Sequence, residues 1–361
     1  MNIHDSALWR ADLDKTIAAL PELETLSGNA VLITGCTGLI GSALTDLFLR
    51  WNETHTGKIR LFAAGRDTRK IEARFAPYAS ADCFRAVRYD ASSADNVFDF
   101  RCDYIVHAAS NAYPGMIVKE PVETMLSNFL GVKGLLDYAK ARDVKRVLYV
   151  SSSEVYGQKG GSQPYRERDY GYVDLLSPRN SYAVGKRAAE TLCAAYADEY
   201  GADCVIVRPG HIYGPTASPL DDRVSSAWAY AAARGEDIVM KSDGAQIRSY
   251  CHCLDCASAI ITVLLKGERT RAYNISNPDS IITIRQMAEL LTKAAGVALR
   301  IELPTEAERK GFNPMSNSSL DGESLLKLGW KGIFEAERGF SHTVEVLKDQ
   351  TRKGDTANER S

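Results

Sequence analysis

The chain has 361 residues, 45% of them hydrophobic and 25% charged, with a formal net charge of −2. That length and balance suit one large globular domain or two closely joined ones. They give no electrostatic reason to expect nucleic acid or a membrane surface as partner, and no apolar run approaches the roughly 18 to 20 residues of a membrane span.

The N-terminal segment 1–28 carries acidic residues throughout and lacks the basic start and apolar centre of a signal peptide. It reads as an amphipathic helical extension, and the expected location is cytoplasmic. From Asn29 onward, short β-rich runs alternate with helical stretches, the pattern of a parallel sheet with helices on both faces. The spacing predicts strands at Ala30–Thr34, Arg60–Ala64, Phe84–Tyr89, Tyr104–His107, Arg146–Ser151 and Cys204–Arg208. Between them it predicts helices, most clearly Ile40–Arg50, Pro121–Arg142 and Ser181–Tyr200. The fold class is therefore α/β, a Rossmann-like doubly wound parallel sheet over residues 29–210. After Arg208 the rhythm changes to short segments with Gly-Pro and Asn-Pro punctuation among helices such as Arg223–Arg234 and Ile284–Gly296. Residues 211–350 are expected to form a smaller α/β lobe that caps the sheet and returns segments to it. Residues 351–361 are polar and expected to be disordered.

Within this frame, Thr34-Gly35-Cys36-Thr37-Gly38-Leu39-Ile40-Gly41 follows an apolar strand and opens a helix. Glycines there permit a tight turn and close approach of a dinucleotide pyrophosphate to the helix N-terminus. At the end of the second strand, where an acid would bind the ribose of NAD, stand Gly65 and Arg66. A guanidinium there suits the 2′-phosphate of NADP, whereas Asp67 as ribose ligand would select NAD. Arg66 favours NADP, with NAD as the alternative. Asp90 could meet the adenine or simply cap its turn. His107, at the end of the fourth strand, is expected to pack beside the cofactor.

Further along, Ser151-Ser152-Ser153-Glu154 ends a strand and Tyr182 precedes Lys186 by four residues. On a helix the two share a face. A lysine ammonium there would favour the phenolate of a group whose pKa is normally about 10. A neighbouring serine could hold the same substrate oxygen, and the set can move a proton on or off an alcohol. The eight cysteines are scattered, which argues for reduced thiols. The cluster Cys251, Cys253, Cys256 is read as small apolar residues where a strand passes into a helix, and no metal is expected.

Taken together, these motifs resemble the extended short-chain dehydrogenase/reductases that modify nucleotide sugars: epimerases, 4,6-dehydratases and sugar-acid decarboxylases. The resemblance spans Asn29 to Lys348 and includes TGCTGLIG, VHAAS at 106–110, SNFLGVKGLLDYA at 127–139, SSSEVYG, SYAVGK, RPGHIYGP at 208–215 and GAQIRSYCHCLDCASAI at 244–260. It implies a tightly bound NAD(P) and a transient 4-keto sugar. Gly35, Thr37, Gly38, Leu39, Ile40, Gly41, Ala108, Ala109, Ser110, Asn128 and Pro209 would line the cofactor along with Tyr182 and Lys186. Tyr182 would take the C4 hydroxyl proton, Ser152 would orient that hydroxyl, and Lys186 would hold the cofactor ribose. Arg248 would meet the diphosphate, with Arg223 as a weaker candidate. His211 stands where the family usually has a substrate-binding asparagine, and is expected on the pocket wall.

Glu154 matches the glutamate that removes the C5 proton in dehydratases of the family, and decarboxylases carry an equivalent one. It could equally be a structural residue of the turn. Many 4,6-dehydratases have an aspartic general acid at Ser153, and serine is a poor substitute. The resemblance puts a nucleoside-diphosphate-sugar 4,6-dehydratase first. A 4-epimerase, a UDP-glucuronate-type decarboxylase and an NADPH-dependent 4-keto-sugar reductase are the alternatives. It also implies a homodimer through Pro121–Arg142 and Ser181–Tyr200, with Leu135, Leu136, Tyr138, Ala188, Ala189, Leu192 and Ala195 as the contact.

Overall fold

The computed structural model describes residues 2–110, 112–302 and 316–358. The strands in chain order are β1 Ala30–Thr34, β2 Arg60–Gly65, β3 Phe84–Arg88, β4 Tyr104–His107, β5 Arg146–Val150, β6 Cys204–Pro209, β7 His211–Tyr213, β8 Ile238–Met240, β9 Ile247–His252, β10 Ala272–Ile275, β11 Ile281–Thr283, β12 Leu299–Ile301 and β13 Asn317–Ser318. The helices are α1 Ala7–Ala18, α2 Leu39–Thr54, α3 Thr68–Arg74, α4 Pro114–Lys119, α5 Pro121–Arg142, α6 Ser181–Tyr200, α7 Val224–Ala233, α8 Cys253–Lys266, α9 Ile284–Ala295, α10 Glu323–Leu326 and α11 Ala336–Asn358.

Seven parallel strands form the main sheet in the order β10-β6-β5-β4-β1-β2-β3. All five residues of β1 are buried, as an unbroken apolar run covered on both faces must be. Alternate side chains enter different cores. Val31 and Ile33 pack with Leu44, Leu47 and Phe48 of α2 and Leu254, Ile260 and Ile261 of α8. Ala30 and Leu32 pack with Leu135 and Leu136 of α5 and Ala189 and Cys193 of α6. The chain runs outward from β1 through β2 to β3, then returns to place β4 on the other side of β1. That reversal opens a crevice at the strands' C-terminal ends, where a dinucleotide docks in such sheets.

The six predicted strands are all present, and β10 is a seventh that the sequence pattern misses. It brings the chain back to the main sheet beside β6, with Ala272 opposite Ile206. The remaining later strands build the smaller lobe: β9 pairs with β7, β11 and β13, and β8 with β12. Tyr213 stacks on Phe340 with ring centroids 3.8 Å apart, in a core shared with Met287 and Leu291 of α9. The extension helix α1 is capped by Ser6 and buries Trp9, whose indole Nε1 donates to Asp46 of α2 at 3.2 Å. The last helix continues to Asn358, past the start of the polar tail at 351; residues 359–361 lie outside the described residues.

The proposed dimer contact needs correction. Leu135, Leu136 and Ala189 are buried in the chain's own core, because α5 and α6 pack against each other and the sheet. The exposed large apolar residues of α5 are Val122, Met125, Leu126 and Phe129.

Candidate active site

The glycine-rich turn shows why glycine is needed at two of its positions. Gly35 has φ +70°, and a Cβ there would lie 2.7 Å from the Ala108 carbonyl oxygen. A Cβ on Gly41 would sit 2.2 Å from the Gly35 carbonyl oxygen. Gly38 caps α2 without any side-chain hydrogen bond, so the first N–H groups of the helix are left for a ligand. Two further polar groups await a partner at the same edge of the sheet. Ser151 Oγ and His107 Nε2 are buried at the ends of β5 and β4 with no hydrogen bond among the described residues. His107 binds Thr34 through its other nitrogen at 2.7 Å, and burial holds the imidazole neutral with a pKa of about 3. A cradle closed to any Cβ, an uncapped helix start and orphaned polar atoms all fit a bound dinucleotide.

At the end of β2, Arg66 is exposed. Asp67 is committed to capping α3, accepting from Arg69 N at 3.0 Å and Lys70 N at 3.4 Å. Asp90 accepts from Ser92 N and Ser92 Oγ at 3.0 and 2.7 Å, which holds its carboxyl below the usual range. It is thus a turn cap in this geometry. Asn128 is fully buried; it donates to Thr124 O at 2.7 Å and accepts from Ser110 Oγ at 3.0 Å. It therefore acts on the cavity through Ser110.

Tyr182 and Lys186 stand one turn apart on α6, both buried. Lys186 Nζ donates to the Val150 carbonyl at 2.8 Å and lies 5.6 Å from the Tyr182 ring centroid. Ser152 stands close enough to the Tyr182 hydroxyl to lower its pKa, and its Oγ receives Glu154 N at 3.2 Å, which caps the short 3₁₀ turn Ser153–Tyr156. This turn presents Ser153 and Glu154 to the same cavity.

The electrostatics depart from the expectation drawn from spacing. Burial pushes the Tyr182 phenol up, to about 12. Ser152 pulls it down, Glu154 pushes it up, and Arg223 pulls it down. Burial in turn lowers Lys186 to about 7, against the opposing pull of Glu190. Desolvation is the largest influence on each group, and neither is among the causes of the other's shift.

The cavity measures about 640 Å³ and lies between the C-terminal ends of the main strands and the smaller lobe. It brings together Ile40, Ala108, Ser110, Ser152, Ser153, Glu154, Tyr182, Lys186 and Pro209 from the sheet side. From the lobe it gathers His211, Arg223 and Arg248. Gly35, Thr37, Gly38, Leu39, Gly41, Arg66, Asp90, Ala109 and Asn128 are not part of its wall. His211 opens on the cavity yet is crowded by protein, and burial, then the cations of Arg248 and Arg223, lower its imidazole to about 3. Arg223 is held by Asp221, Nε to Oδ1 at 2.9 Å. Arg248 Nη1 donates to the Ile247 carbonyl at 2.9 Å. The wall also contains Arg179, Lys241 and Asp222, which motif reading passes over. Cys251, Cys253 and Cys256 lie in the apolar core where β9 enters α8. Among the described residues no three His, Cys, Asp or Glu side chains gather as a metal site, and no helix is long and apolar enough to cross a membrane.

A profile of the NAD dependent epimerase/dehydratase family matches residues 31–276, which contain both the glycine turn and the Tyr/Lys pair. The chain belongs to that family. Its relatives in the epimerase/dehydratase family include UDP-glucuronic acid decarboxylase 5 of Arabidopsis thaliana, 31% identical over 87% of this chain and 88% of the relative. UDP-glucuronic acid decarboxylase 1 of Xenopus tropicalis is 29% identical over 89% of this chain and 72% of the relative. Among solved structures, the dTDP-glucose 4,6-dehydratase DesIV of Streptomyces venezuelae with NAD and TYD bound superposes with a TM-score of 0.74. It is 25% identical, covering 90% of this chain and 98% of that one. The chain is thus an enzyme of the epimerase/dehydratase family whose homologues act on nucleotide sugars.

Proposed function

We propose that the enzyme oxidises a nucleoside-diphosphate hexuronate transiently at C4 and releases its C6 carboxylate as carbon dioxide. The observation that carries the choice of outcome is the pair Ser153-Glu154. Dehydration needs an acid for the departing C6 hydroxyl, and the position beside Ser152 offers only a serine hydroxyl. Among the described residues of the cavity wall, carboxylates belong to Glu154 and Asp222, and Asp222 accepts the Gly115 N–H at 3.0 Å. A β-keto carboxylate needs no acid to lose carbon dioxide. The decarboxylase names of the relatives support the same order. The expectation that dehydration comes first is revised accordingly.

In this reading Tyr182, whose ionisation a cationic nicotinamide would favour once bound, would take the C4 hydroxyl proton while Ser152 holds the same oxygen. A dinucleotide held by the Gly35–Gly41 turn would supply the hydride acceptor for C4 and the donor for the hydride's return. With a ketone at C4, the C5–C6 bond breaks and its electron pair moves into an enolate whose oxygen faces Tyr182 and Ser152. A proton taken from solvent then returns to C5, relayed by Glu154, which stands on the cavity wall beside Ser153. Such positioned proton transfers contribute about 10²- to 10⁴-fold each. Lys186, pinned to the end of β5, would hold the cofactor ribose, and Arg248, on the cavity wall, would meet the diphosphate. Arg66, with Asp67 occupied as a cap, supports NADP; replacing Arg66 with serine should shift binding preference towards NAD.

A 4,6-dehydratase is the second reading, supported by a carboxylate, Glu154, close enough to Tyr182 to raise its pKa. Product masses from UDP-glucuronate and UDP-glucose separate the two. Loss of carbon dioxide from the uronate supports the proposal; loss of water from UDP-glucose with the uronate untouched rejects it.

A further inference from the structure

We propose that Arg179 recognises the C6 carboxylate of the substrate and so selects a hexuronate over a neutral hexose. The assignment rests on the decarboxylase reading and names the residue that gives it specificity.

Arg179 belongs to a 3₁₀ turn, Pro178–Asn180, that leads directly into α6 at Ser181. It precedes Tyr182 by three residues, and side chains at that spacing lie over one another on a common face. Both residues line the cavity. In a pyranose the C6 carboxylate hangs from C5, the carbon next to the one whose hydroxyl Tyr182 would deprotonate. The groups holding these two substituents must therefore stand side by side, as Arg179 and Tyr182 do.

The charge inventory of the wall points the same way. Lys186 is engaged with the Val150 carbonyl, Arg223 with Asp221, and Arg248 with the Ile247 carbonyl. Arg248 and Lys241 enter from the smaller lobe, on β9 and just after β8. Arg179, by contrast, is exposed at the cavity and makes no hydrogen bond or ion pair with any described residue. Its guanidinium offers a planar pair of donors matched to a carboxylate. Such a clamp steadies the carboxylate before it leaves as much as while it leaves, so its effect belongs in affinity and KM more than in kcat.

Calorimetric titration of the cofactor-loaded enzyme with UDP-glucuronate, UDP-glucose and UDP tests this. The wild type should prefer UDP-glucuronate to UDP-glucose by about tenfold or more, the range of a charge-assisted hydrogen-bonded pair. Arg179→Gln should erase that preference while leaving the affinities for UDP-glucose and UDP unchanged. Arg179→Lys should restore part of it, since charge survives without the fork. Equal losses for all three ligands in Arg179→Gln, an unaltered preference, or no preference in the wild type would each overturn the assignment. Failure of the decarboxylase reading looks different: the uronate is bound selectively but recovered intact after incubation.

Discussion

Tyr182 and Lys186 illustrate how far burial reshapes two groups that spacing alone sets side by side. With the phenol raised to about 12 and the ammonium lowered to about 7, the free enzyme keeps the phenol protonated at neutral pH. Tyr182→Phe should lower turnover by about 10²- to 10⁴-fold with nucleotide affinity retained, as steady-state rates and titration would show. Lys186 carries a linked stability effect. Its folded pKa of about 7 lies below the ordinary lysine value of 10.5, so between those values the unfolded chain binds more protons. Stability from this group is diminished below pH 7 and recovers as pH rises towards 10.5. The melting temperature of the wild type relative to Lys186→Met should therefore climb from pH 7 to pH 9. A flat difference would show that the ammonium is not desolvated.

At the scale of elements, the site depends on how α2 and α6 begin. The start of α2 tolerates no Cβ at position 41, which would approach the Gly35 carbonyl oxygen to 2.2 Å. Gly41→Ala should cost about 1 to 3 kcal/mol of stability and abolish dinucleotide binding, readable by denaturant titration and by cofactor fluorescence. Local elements of this kind were legible because strand, glycine turn and helix are contiguous in sequence, as are the serine-tipped β5 and the Tyr/Lys turn. What escaped depends on distant chain. The segment Ala-Tyr-Asn-Ile of β10 is short, mixed in polarity, and becomes a strand only by pairing with β6. Leu135 and Leu136 are placed at an interface by the family resemblance, which marks the helix without saying which of its faces is already covered; α6 and the sheet cover this one. Arg179 follows no apolar pattern, so only its i, i+3 relation to Tyr182 could have flagged it.

For the whole molecule, the smaller lobe turns a nucleotide-binding sheet into a closed site. His211 and Arg248 reach the cavity on the paired strands β7 and β9, and Arg223 reaches it from the start of α7. The desolvation of Tyr182 requires that assembly, which is why its direction could not be read from a motif. Two histidines, His107 and His252, are buried and held neutral, each with burial as the largest cause and a folded pKa of about 3. Each therefore favours the folded state at neutral pH, and that contribution is lost as pH falls from about 6.5 towards 3. Acid unfolding followed by circular dichroism should accordingly begin near pH 6 and steepen below it. Unchanged stability down to pH 4 would contradict the burial of these rings.

The central claim is that C4 is oxidised and then reduced within one turnover. It is tested most directly with UDP-glucuronate bearing deuterium at C4. The account predicts a decarboxylated sugar that keeps the label at C4, with no net change in nicotinamide absorbance. Deuterium lost from C4 to the free cofactor pool, or reduced cofactor consumed in step with product, would contradict it.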